Sequence, residues 1–404
     1  MTTSPGLPTP GPGRASRVAP RLVPRMVEHA STVFGEMSAL AAATGSINLG
    51  QGFPDTDGPD VVKQAAIRAI AEGRGNQYPP AHGLPELRRA IAEHQQRFYG
   101  ITIDPDTDVV VTTGASEAIA AALLAFVEPG DEVVMFAPWF DLYAADISLA
   151  GGVRVEVTMT GPDFRPDPDR LRAAITDRTR ILLLNSPHNP TGSVATADEL
   201  TAIAAIVAEH DLLVISDEAY EHLVFAGSTH LPFATLPGMA DRTLTIGSAG
   251  KSLSMTGWKV GWATGPADLI AAVRVVRQHL SFVSGGPFQW AVAEGLALPD
   301  SHWTRFAADL QDRRDQLCDG LRGLGFGVTV PQGSYYATTD IRPLGYDDGW
   351  RFCRELPERA GVVAIPHQVF HDDPEAGRPY VRWAFCKRPE VLDDALRRLT
   401  AAFG

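Results

Sequence analysis

The feature that most constrains the fold of this chain is an alternation of helical segments with short apolar runs, which begins near residue 60. Such runs, bounded by turn residues and separated by helices, are typical of buried parallel strands. We therefore predict an α/β fold whose mixed, mostly parallel sheet is flanked by helices. The predicted strands are 108–114, 131–138, 153–159, 180–187, 212–218 and 242–248, and the helices between them include 115–127, 167–176 and 196–209.

The pattern changes after about residue 300, where a long helical stretch precedes shorter strands that alternate with helices. This change indicates a second, smaller α+β domain, which a chain of 404 residues with 45% hydrophobic residues is long enough to form. We predict a large domain at 59–299 and a small domain that combines 26–58 with 300–404. Residues 1–25, rich in Pro, Gly, Ser and Thr, are predicted to be a flexible tail.

Charge and cysteine content argue against several classes of protein. The net charge of −13 and the pI near 5.3 oppose binding to nucleic acid or to anionic membranes. The three cysteines are odd in number and widely spaced, which gives neither a disulfide framework nor a C-x-x-C metal site. No apolar run approaches the roughly 18 residues that span a bilayer, and the first residues lack the apolar segment of a secretion signal. We therefore predict a cytoplasmic protein without nucleic-acid or membrane partners.

The stretch TLTIGSAGKSLSMTGWKVGW at 243–262 contains a lysine that allows three interpretations. Its GKS resembles a phosphate-binding loop, but Thr245 stands where that motif begins with glycine. Ser248 and Lys251 have the S-x-x-K spacing of serine acyl-transfer enzymes, yet the companion motifs SDN and KTG do not occur. The third interpretation makes Lys251 the amine that forms a Schiff base with a carbonyl cofactor.

Polar residues at the ends of the predicted strands favour the third interpretation, since ligands of open α/β sheets bind beyond the carboxyl ends of the strands. A cofactor with a pyridine ring, an aldehyde and a phosphate requires an amine, a carboxylate and donors to the ring hydroxyl. Asn185 ends one predicted strand and Asp217 ends the next. Lys251 supplies the amine, and Asp217 supplies a carboxylate for the ring nitrogen. Asn189 and Tyr220 are candidate donors to the ring hydroxyl.

The same cofactor requires a site for its phosphate, and the turn GASEA that opens a predicted helix can provide one. The main-chain N–H groups of Ala115 and Ser116 would meet a phosphate at the positive end of the helix. Ser248 and Lys259 would complete this phosphate cup. Each of these residues is unremarkable alone, so the prediction depends on their joint occurrence.

Together these motifs resemble the fold-type I, class I aminotransferases, which use pyridoxal 5′-phosphate (PLP). NSPHNPTG, SDEAY and SAGKSLSMTGWKVGW occur in the order and approximate spacing of that family. NLGQGFPDTDGP at 48–59 is similar to the kynurenine aminotransferase and glutamine transaminase K branch. STVFGEMSAL, NQYPP and RPLGYDD most resemble bacterial succinyldiaminopimelate aminotransferases. The resemblance extends from about residue 27 to the end and implies that the large domain binds PLP.

The resemblance implies roles for further residues. Phe140 would stack on the pyridine ring, and Arg382 would bind the substrate α-carboxylate through two hydrogen bonds. Tyr78 would reach the cofactor phosphate of a neighbouring subunit, which implies a homodimer. The residues implied for substrate binding beside Arg382 are Gly52, Asn189, Phe34 and Phe282.

Two positions depart from the pattern of related families. Many class I members have arginine where this chain has Lys259, so the phosphate contact is a point charge. Val283 stands where some kynurenine-type enzymes have histidine, which argues against a kynurenine-like aromatic substrate.

We predict an aminotransferase that moves an amino group between an L-amino acid and a 2-oxo acid, with 2-oxoglutarate and glutamate as one pair. The resemblance favours N-succinyl-LL-diaminopimelate as the other amino compound. The alternatives are a broad kynurenine, glutamine or methionine transaminase, a specialised biosynthetic aminotransferase, a PLP-dependent β-lyase or oxidase, and a PLP-binding regulator without turnover. His367 and His371 stand four apart, but no E-x-x-H motif accompanies them, and we predict no metal site.

Overall fold

The structure is a computed structural model and describes residues 22–30 and 32–404. Most of the predicted tail, residues 1–21, lies outside the described residues. The strands are β1 Ile47–Asn48, β2 Val109–Thr112, β3 Glu132–Ala137, β4 Val153–Thr158, β5 Thr179–Asn185, β6 Leu213–Asp217, β7 Thr243–Ser248, β8 Gly261–Thr264, β9 Gly327–Thr329, β10 Tyr336–Asp340, β11 Val362–Val363, β12 Ile365–Pro366 and β13 Tyr380–Ala384.

The helices of the same ranges connect these strands. They are α1 Val33–Thr44, α2 Asp60–Ala71, α3 Pro85–Tyr99, α4 Gly114–Phe126, α5 Asp141–Ala150, α6 Pro168–Ala174, α7 Ala197–Glu209, α8 Ala249–Ser252, α9 Ala267–Leu280, α10 Gly286–Leu296, α11 Asp300–Gly323, α12 Gly349–Ala360, α13 Pro374–Gly377 and α14 Pro389–Phe403. None of these helices is long and apolar enough to cross a membrane.

A seven-stranded sheet has the order β2-β8-β7-β6-β5-β3-β4. Neighbours among β3 to β7 are parallel, whereas β8 is antiparallel to both β7 and β2. This confirms the predicted mixed, mostly parallel sheet. The six predicted strands end within two residues of the observed ones, but β8 was not predicted, because its four residues overlap the end of the lysine-containing stretch at 243–262.

The central strands are apolar throughout because both faces of the sheet are covered. Successive residues of a strand point to opposite faces. On β3, Val133 packs in a cluster with side chains of α4, α5 and α9, while Val134 packs in another with side chains of α6 and α7. Burial on both faces explains why the strands read as continuous apolar runs and not as alternating ones.

A second group of strands belongs to the regions before residue 50 and after residue 300. β12, β13, β10 and β9 form an antiparallel sheet, and β1 pairs in parallel with β11. One hydrophobic cluster joins buried side chains of α1, α11, α12 and α14 and also includes Tyr220, Leu223 and Phe225. The domain boundaries at 58/59 and 299/300 stay a prediction.

Candidate active site

A cavity of about 1130 Å³ opens at the carboxyl ends of β5, β6 and β7. All but two of the predicted site residues line it. They are Lys251, Asp217, Tyr220, Ala115, Ser116, Phe140, Asn189, Ser248, Lys259, Arg382, Gly52 and Phe34. Strand order brings them together, because parallel neighbouring strands end at the same edge of the sheet.

Asn185 fixes the loop that carries Asn189. It ends β5 and lies opposite Asp217 in the register of β5 and β6. Its side-chain nitrogen donates to the main-chain oxygen of Asp217 at 2.8 Å, and its side-chain oxygen accepts from the Asn189 main-chain N–H at 2.8 Å. Asn185 was recognised from the sequence as a polar strand end, but this positioning role was missed.

Lys251 lies in α8, a helix of one turn directly after β7. Its Nζ donates a hydrogen bond to Tyr335 Oη at 2.8 Å, and Tyr335 Oη donates to the main-chain oxygen of Gly52 at 2.5 Å. Burial lowers the pKa of Lys251 to about 8. About a tenth of this amine is then neutral at pH 7, which a nucleophile or a proton acceptor requires.

Asp217 is buried at the end of β6. It lies near Tyr143 of α5 and Phe140, the residue that caps the amino end of α5. Its carboxylate accepts hydrogen bonds from Tyr143 Oη at 2.6 Å and from the Ala219 main-chain N–H at 3.1 Å. Burial raises the pKa of Asp217, while the Tyr143 hydrogen bond and the charge of Lys251 oppose that change. A cation beside the carboxylate, such as a protonated pyridine nitrogen, would stabilise its ionised form. Tyr143 packs edge-on against Phe140 at 5.6 Å between ring centroids.

The phosphate cup lies at the amino end of α4, a helix of 13 residues. Lys259 Nζ is 3.4 Å from Ser116 Oγ, so a cation and the N–H groups of the first helical turn face the same space. A Cβ on Gly261 would lie 2.5 Å from the main-chain carbonyl carbon of Gly114. Only glycine therefore allows β8 to pass so close to the cup. This donor set fits a phosphate dianion.

Arg382 lies on β13 at the other end of the cavity and is 1% exposed. Its Nη1 donates to Asn189 Oδ1 at 3.1 Å and its Nη2 to the main-chain oxygen of Gly50 at 2.8 Å, so neither acceptor is a carboxylate. Its Nε is buried without a hydrogen-bond partner among the described residues. The Tyr336 ring lies 4.2 Å from the guanidinium carbon. A buried, uncompensated guanidinium of this kind fits an anionic ligand such as a carboxylate.

Phe34 and Gly52 lie beside this arginine, as the sequence predicts for substrate-pocket residues. The Phe34 ring is 5.0 Å from the guanidinium carbon of Arg382. A Cβ on Gly52 would lie 1.7 Å from Tyr336 Oη, which makes glycine necessary there. Tyr336 lines the cavity and was not identified from the sequence.

Tyr78 and Phe282 are the two predicted site residues that do not line the cavity. Tyr78 is 81% exposed and Phe282 is 45% exposed. Their rings contact each other edge-on with centroids 5.3 Å apart. The single chain therefore does not bring them to the cavity. The role of Tyr78 at the cofactor of a second subunit and the role of Phe282 in substrate binding both stay predictions.

One group of possible metal ligands occurs among the described residues, at His94, Glu221 and His222. The Nε2 atoms of His94 and His222 are 2.6 Å apart. That is a hydrogen-bond distance and is shorter than the roughly 3.3 Å between two nitrogen ligands of one tetrahedral zinc ion with Zn–N bonds near 2.05 Å. The geometry is that of a hydrogen-bonded histidine pair. His367 and His371 do not belong to this group.

The fold and the cavity define the class of protein. The family model described as "Aminotransferase class I and II" matches residues 44–399. The chain therefore belongs to this family of PLP-dependent enzymes and is an aminotransferase. The amine, carboxylate, phosphate cup and unpaired guanidinium are the donor set that PLP and an amino-acid substrate require.

Solved and curated relatives agree with this assignment. The chain is 52% identical over 389 residues to the probable N-succinyldiaminopimelate aminotransferase of Mycobacterium tuberculosis, which covers 94% of this chain and 98% of the relative. A solved structure of that enzyme has a TM-score of 0.93 and covers 95% of this chain and 100% of its own. The methionine aminotransferase of Escherichia coli is 38% identical, over 91% of this chain and 95% of its own length. Human kynurenine–oxoglutarate transaminase 1 is 36% identical, over 90% and 94%. The predicted resemblance to the kynurenine and succinyldiaminopimelate enzymes is thus confirmed.

Proposed function

We propose that this aminotransferase binds PLP at Lys251 and transfers an amino group between glutamate and the succinylated amino acid N-succinyl-LL-diaminopimelate. The observation that carries the site is a half-buried amine with a pKa of about 8 in the same cavity as Arg382, which has no carboxylate partner in the described part of the chain. The substrate is supported by the 52% identity to an enzyme of that name over nearly the whole chain.

Each of the site residues has a definite task in this proposal. Bound PLP supplies an electron-poor pyridine ring that accepts the electron pair of the substrate Cα–H bond. Asp217 would hold the ring nitrogen and stabilise its positive charge, and Tyr220 and Asn189 would donate hydrogen bonds to the ring hydroxyl. Lys251 Nζ takes the proton from the substrate Cα. Arg382 binds the α-carboxylate and thereby orients that Cα–H bond toward the lysine.

The phosphate of PLP would be held by the phosphate cup and the ring by stacking on Phe140. Ala115 and Ser116 would donate their main-chain N–H groups to it, and Ser248 and Lys259 would add a hydroxyl and a positive charge. These contacts keep the cofactor in place while Lys251 is free to move a proton. Binding and proton transfer are thus assigned to different residues.

The binding of PLP to Lys251 can be tested by reduction with borohydride followed by peptide mapping. The pyridoxyl group should be found on Lys251, and Lys251→Ala should lose turnover while it retains cofactor non-covalently. Lys259 serves as an internal control, because it lies in the phosphate cup and should carry no label. A label on another lysine would contradict the assignment.

A broad transaminase is the second candidate function. The outer wall of the cavity includes the apolar surfaces of Trp139, Leu142, Trp350 and Val369, which suit neutral side chains. A panel of amino donors with 2-oxoglutarate, ranked by kcat/KM and including the reverse reaction on the succinylated oxo acid, separates the two candidates. A tenfold preference for methionine or kynurenine, about 1.4 kcal/mol, would replace the proposed substrate by a broad range.

The panel also tests whether the enzyme follows a different course after proton removal. A β-lyase would release pyruvate and ammonia from a suitable donor without a 2-oxo acid present. An aminotransferase needs the acceptor to restore its cofactor. Repeated turnover without an acceptor would therefore contradict the proposed reaction, whereas a single release of oxo acid per active site would not.

The active protein is proposed to be a homodimer in which Tyr78 reaches the partner's cofactor phosphate. Tyr78 and Phe282 form an exposed aromatic pair, and Leu280 and Val275 nearby are 49% and 64% exposed. Exposed apolar side chains in one region are typical of an interface. Hybrids of Lys251→Ala and Tyr78→Phe subunits should regain one active site per dimer with distinct kinetics. A fully active monomer would contradict this proposal.

We also propose that the enzyme works in the cytoplasm. Its three cysteines, Cys318, Cys353 and Cys386, are free and buried, as is usual for thiols in a reducing compartment. Fractionation of cells that express the tagged chain would test the location.

A further inference from the structure

Lys251 lies between two cavities. The larger one is the candidate active site. The second has a volume of about 320 Å³ and is bounded by the loop at 54–59 and by α11. Lys251 lines both cavities, and Tyr335 lines the second one. We refer to the second cavity as the rear cavity.

This position creates a problem for a lysine that must act repeatedly on the active-site side. The side chain is a flexible stem of four methylene groups that carries a strongly hydrated charge. Whenever the amine is not bound to the cofactor, space is open to it in two directions. The rear cavity is also lined by the acidic residues Asp57 and Asp309, which would attract a protonated amine.

The hydroxyl of Tyr335 can fix the position of the Lys251 amine between the two cavities. Its single hydroxyl proton is given to the main-chain oxygen of Gly52, at 2.5 Å. The phenol oxygen therefore has to accept from Lys251 Nζ, at 2.8 Å. Its ring is 1% exposed and is held edge-on by Tyr220 and Tyr336, with centroids 5.1 and 4.8 Å away. A fixed acceptor thus stands at a defined place beside the amine.

We propose that Tyr335 is a positioning residue that holds the released Lys251 amine at the boundary between the two cavities, beside Gly52 of the active site, and so keeps it from moving further into the rear cavity. An amine that donates one N–H to Tyr335 keeps its lone pair free to take a proton from the substrate. Gly52 fixes the direction of the phenol and so of the amine. This inference rests on the proposed role of Lys251.

The hydrogen bond that Tyr335 accepts from Lys251 can be removed by a single substitution that leaves the other groups around the amine in place. The other ionisable groups around Lys251 are Asp217, Lys259, Arg382, Cys386 and Tyr220, and the rear cavity that it lines adds Asp57, His302, Asp309 and Arg313. Tyr335→Phe removes only the hydroxyl and leaves the ring in its packing. Tyr346→Phe is the matched control, because it removes a tyrosine hydroxyl that contacts Arg359 far from the cavity.

The first measurement is the single-turnover reaction of the holoenzyme with glutamate, followed by the absorbance of the cofactor. Tyr335→Phe should slow the rate constant by about tenfold to a hundredfold, the size expected for a misplaced reacting group. The glutamate concentration for half-saturation should change less than threefold, since Arg382 is untouched. Tyr346→Phe should match the unsubstituted enzyme in both values. An unchanged rate constant in Tyr335→Phe overturns the inference.

The second measurement uses the cofactor-free protein and does not depend on turnover. The rate at which an amine reagent such as acetic anhydride labels Lys251 is measured against pH by peptide mass spectrometry. Loss of the hydrogen bond that the ammonium donates should lower the midpoint by about one pH unit in Tyr335→Phe. A slower turnover with an unchanged midpoint also overturns the inference, because the phenol would then act without holding the amine.

Failure of this inference differs from failure of the proposed function. Pyridoxyl mapping of the unsubstituted enzyme to a lysine other than Lys251 removes the proposed function. Mapping to Lys251 in both forms, with equal rates and equal midpoints, removes only the role of Tyr335.

Discussion

Two arginines line the same cavity, but among the described residues one has no carboxylate partner and the other has two. Arg382 at the inner end is 1% exposed, and its hydrogen bonds go to the amide oxygen of Asn189 and to a main-chain oxygen. Arg154 at the mouth has a side chain 24% exposed and is bound to Glu28 at 2.9 Å and to Asp372 at 2.5 Å. A buried cation without a carboxylate partner costs stability unless a ligand supplies one. The inner arginine therefore indicates a ligand, whereas the outer one is already neutralised.

The lysines show the same contrast. Lys251 has its pKa lowered by burial, while Lys63 at the surface, with a side chain 32% exposed, has its pKa raised by hydrogen bonds to Asp60 and Asp57. Strongly perturbed groups in a cavity are candidates for function, and paired surface groups are not. What separates the two sets is the partner of each charge and not the residue type.

The largest effect is expected from the acid that faces the proposed ring nitrogen. Asp217→Asn keeps the shape but removes the negative charge, and turnover should fall about a thousandfold, as for other buried charges that stabilise a transition state. Glu132→Gln is the control, because this buried acid at the opposite end of the sheet is satisfied by Arg178 and Thr176. Near-normal kcat in Asp217→Asn with full cofactor occupancy would contradict the role assigned to the Asp217 carboxylate.

The next effect concerns the unpaired arginine. Arg382→Gln should lower kcat/KM about a hundredfold for every amino acid, because the α-carboxylate is common to all of them and loses a two-pronged charged contact. Thermal unfolding of the cofactor-free variant should show little loss of stability, since no ion pair is broken. A large loss of stability with small kinetic effects would show that Arg382 serves the fold.

The lowered pKa of Lys251 should make the free energy of unfolding depend on pH. Because the folded pKa of about 8 is below the ordinary 10.5, the folded protein binds fewer protons than the unfolded chain between these values, and its stability rises with pH there. The lowered pKa corresponds to about 3 kcal/mol, which the opening to the cavity reduces to about 2 kcal/mol. In the cofactor-free protein, Lys251→Met should therefore be more stable by that amount below pH 8, and the gain should disappear above pH 10.5. Urea unfolding at several pH values measures this, and a gain independent of pH would contradict it.

The smallest effect is expected at the mouth. Arg154→Gln should change kcat/KM for methionine or glutamate by less than threefold, because its charge is already paired with Glu28 and Asp372. The same variant sharpens the comparison when it is assayed with the succinylated substrate. A loss of tenfold or more for that substrate alone would show that Arg154 exchanges a protein carboxylate for one of the substrate.

The sequence predicts the central sheet well and the tyrosines of the site poorly, for different physical reasons. Buried parallel strands are continuous apolar runs, so six of the seven could be located, and the strand-end rule brought attention to Asn185 and Asp217. Tyr143 and Tyr335 reach their partners Asp217 and Lys251 across 74 and 84 residues. A tyrosine in or next to a helix or strand is indistinguishable from a core residue until its hydroxyl has a known partner.

Two hydrogen bonds at the inner end of the cavity also bear on the order in which the molecule assembles. Arg382 reaches Gly50 across 332 residues, and Tyr335 reaches Gly52 across 283. The phosphate cup uses residues between 114 and 259 only. Closing a longer loop costs more chain entropy, and distant pairings form late in folding. During refolding, the capacity to retain PLP should therefore return before the capacity to recognise an amino acid.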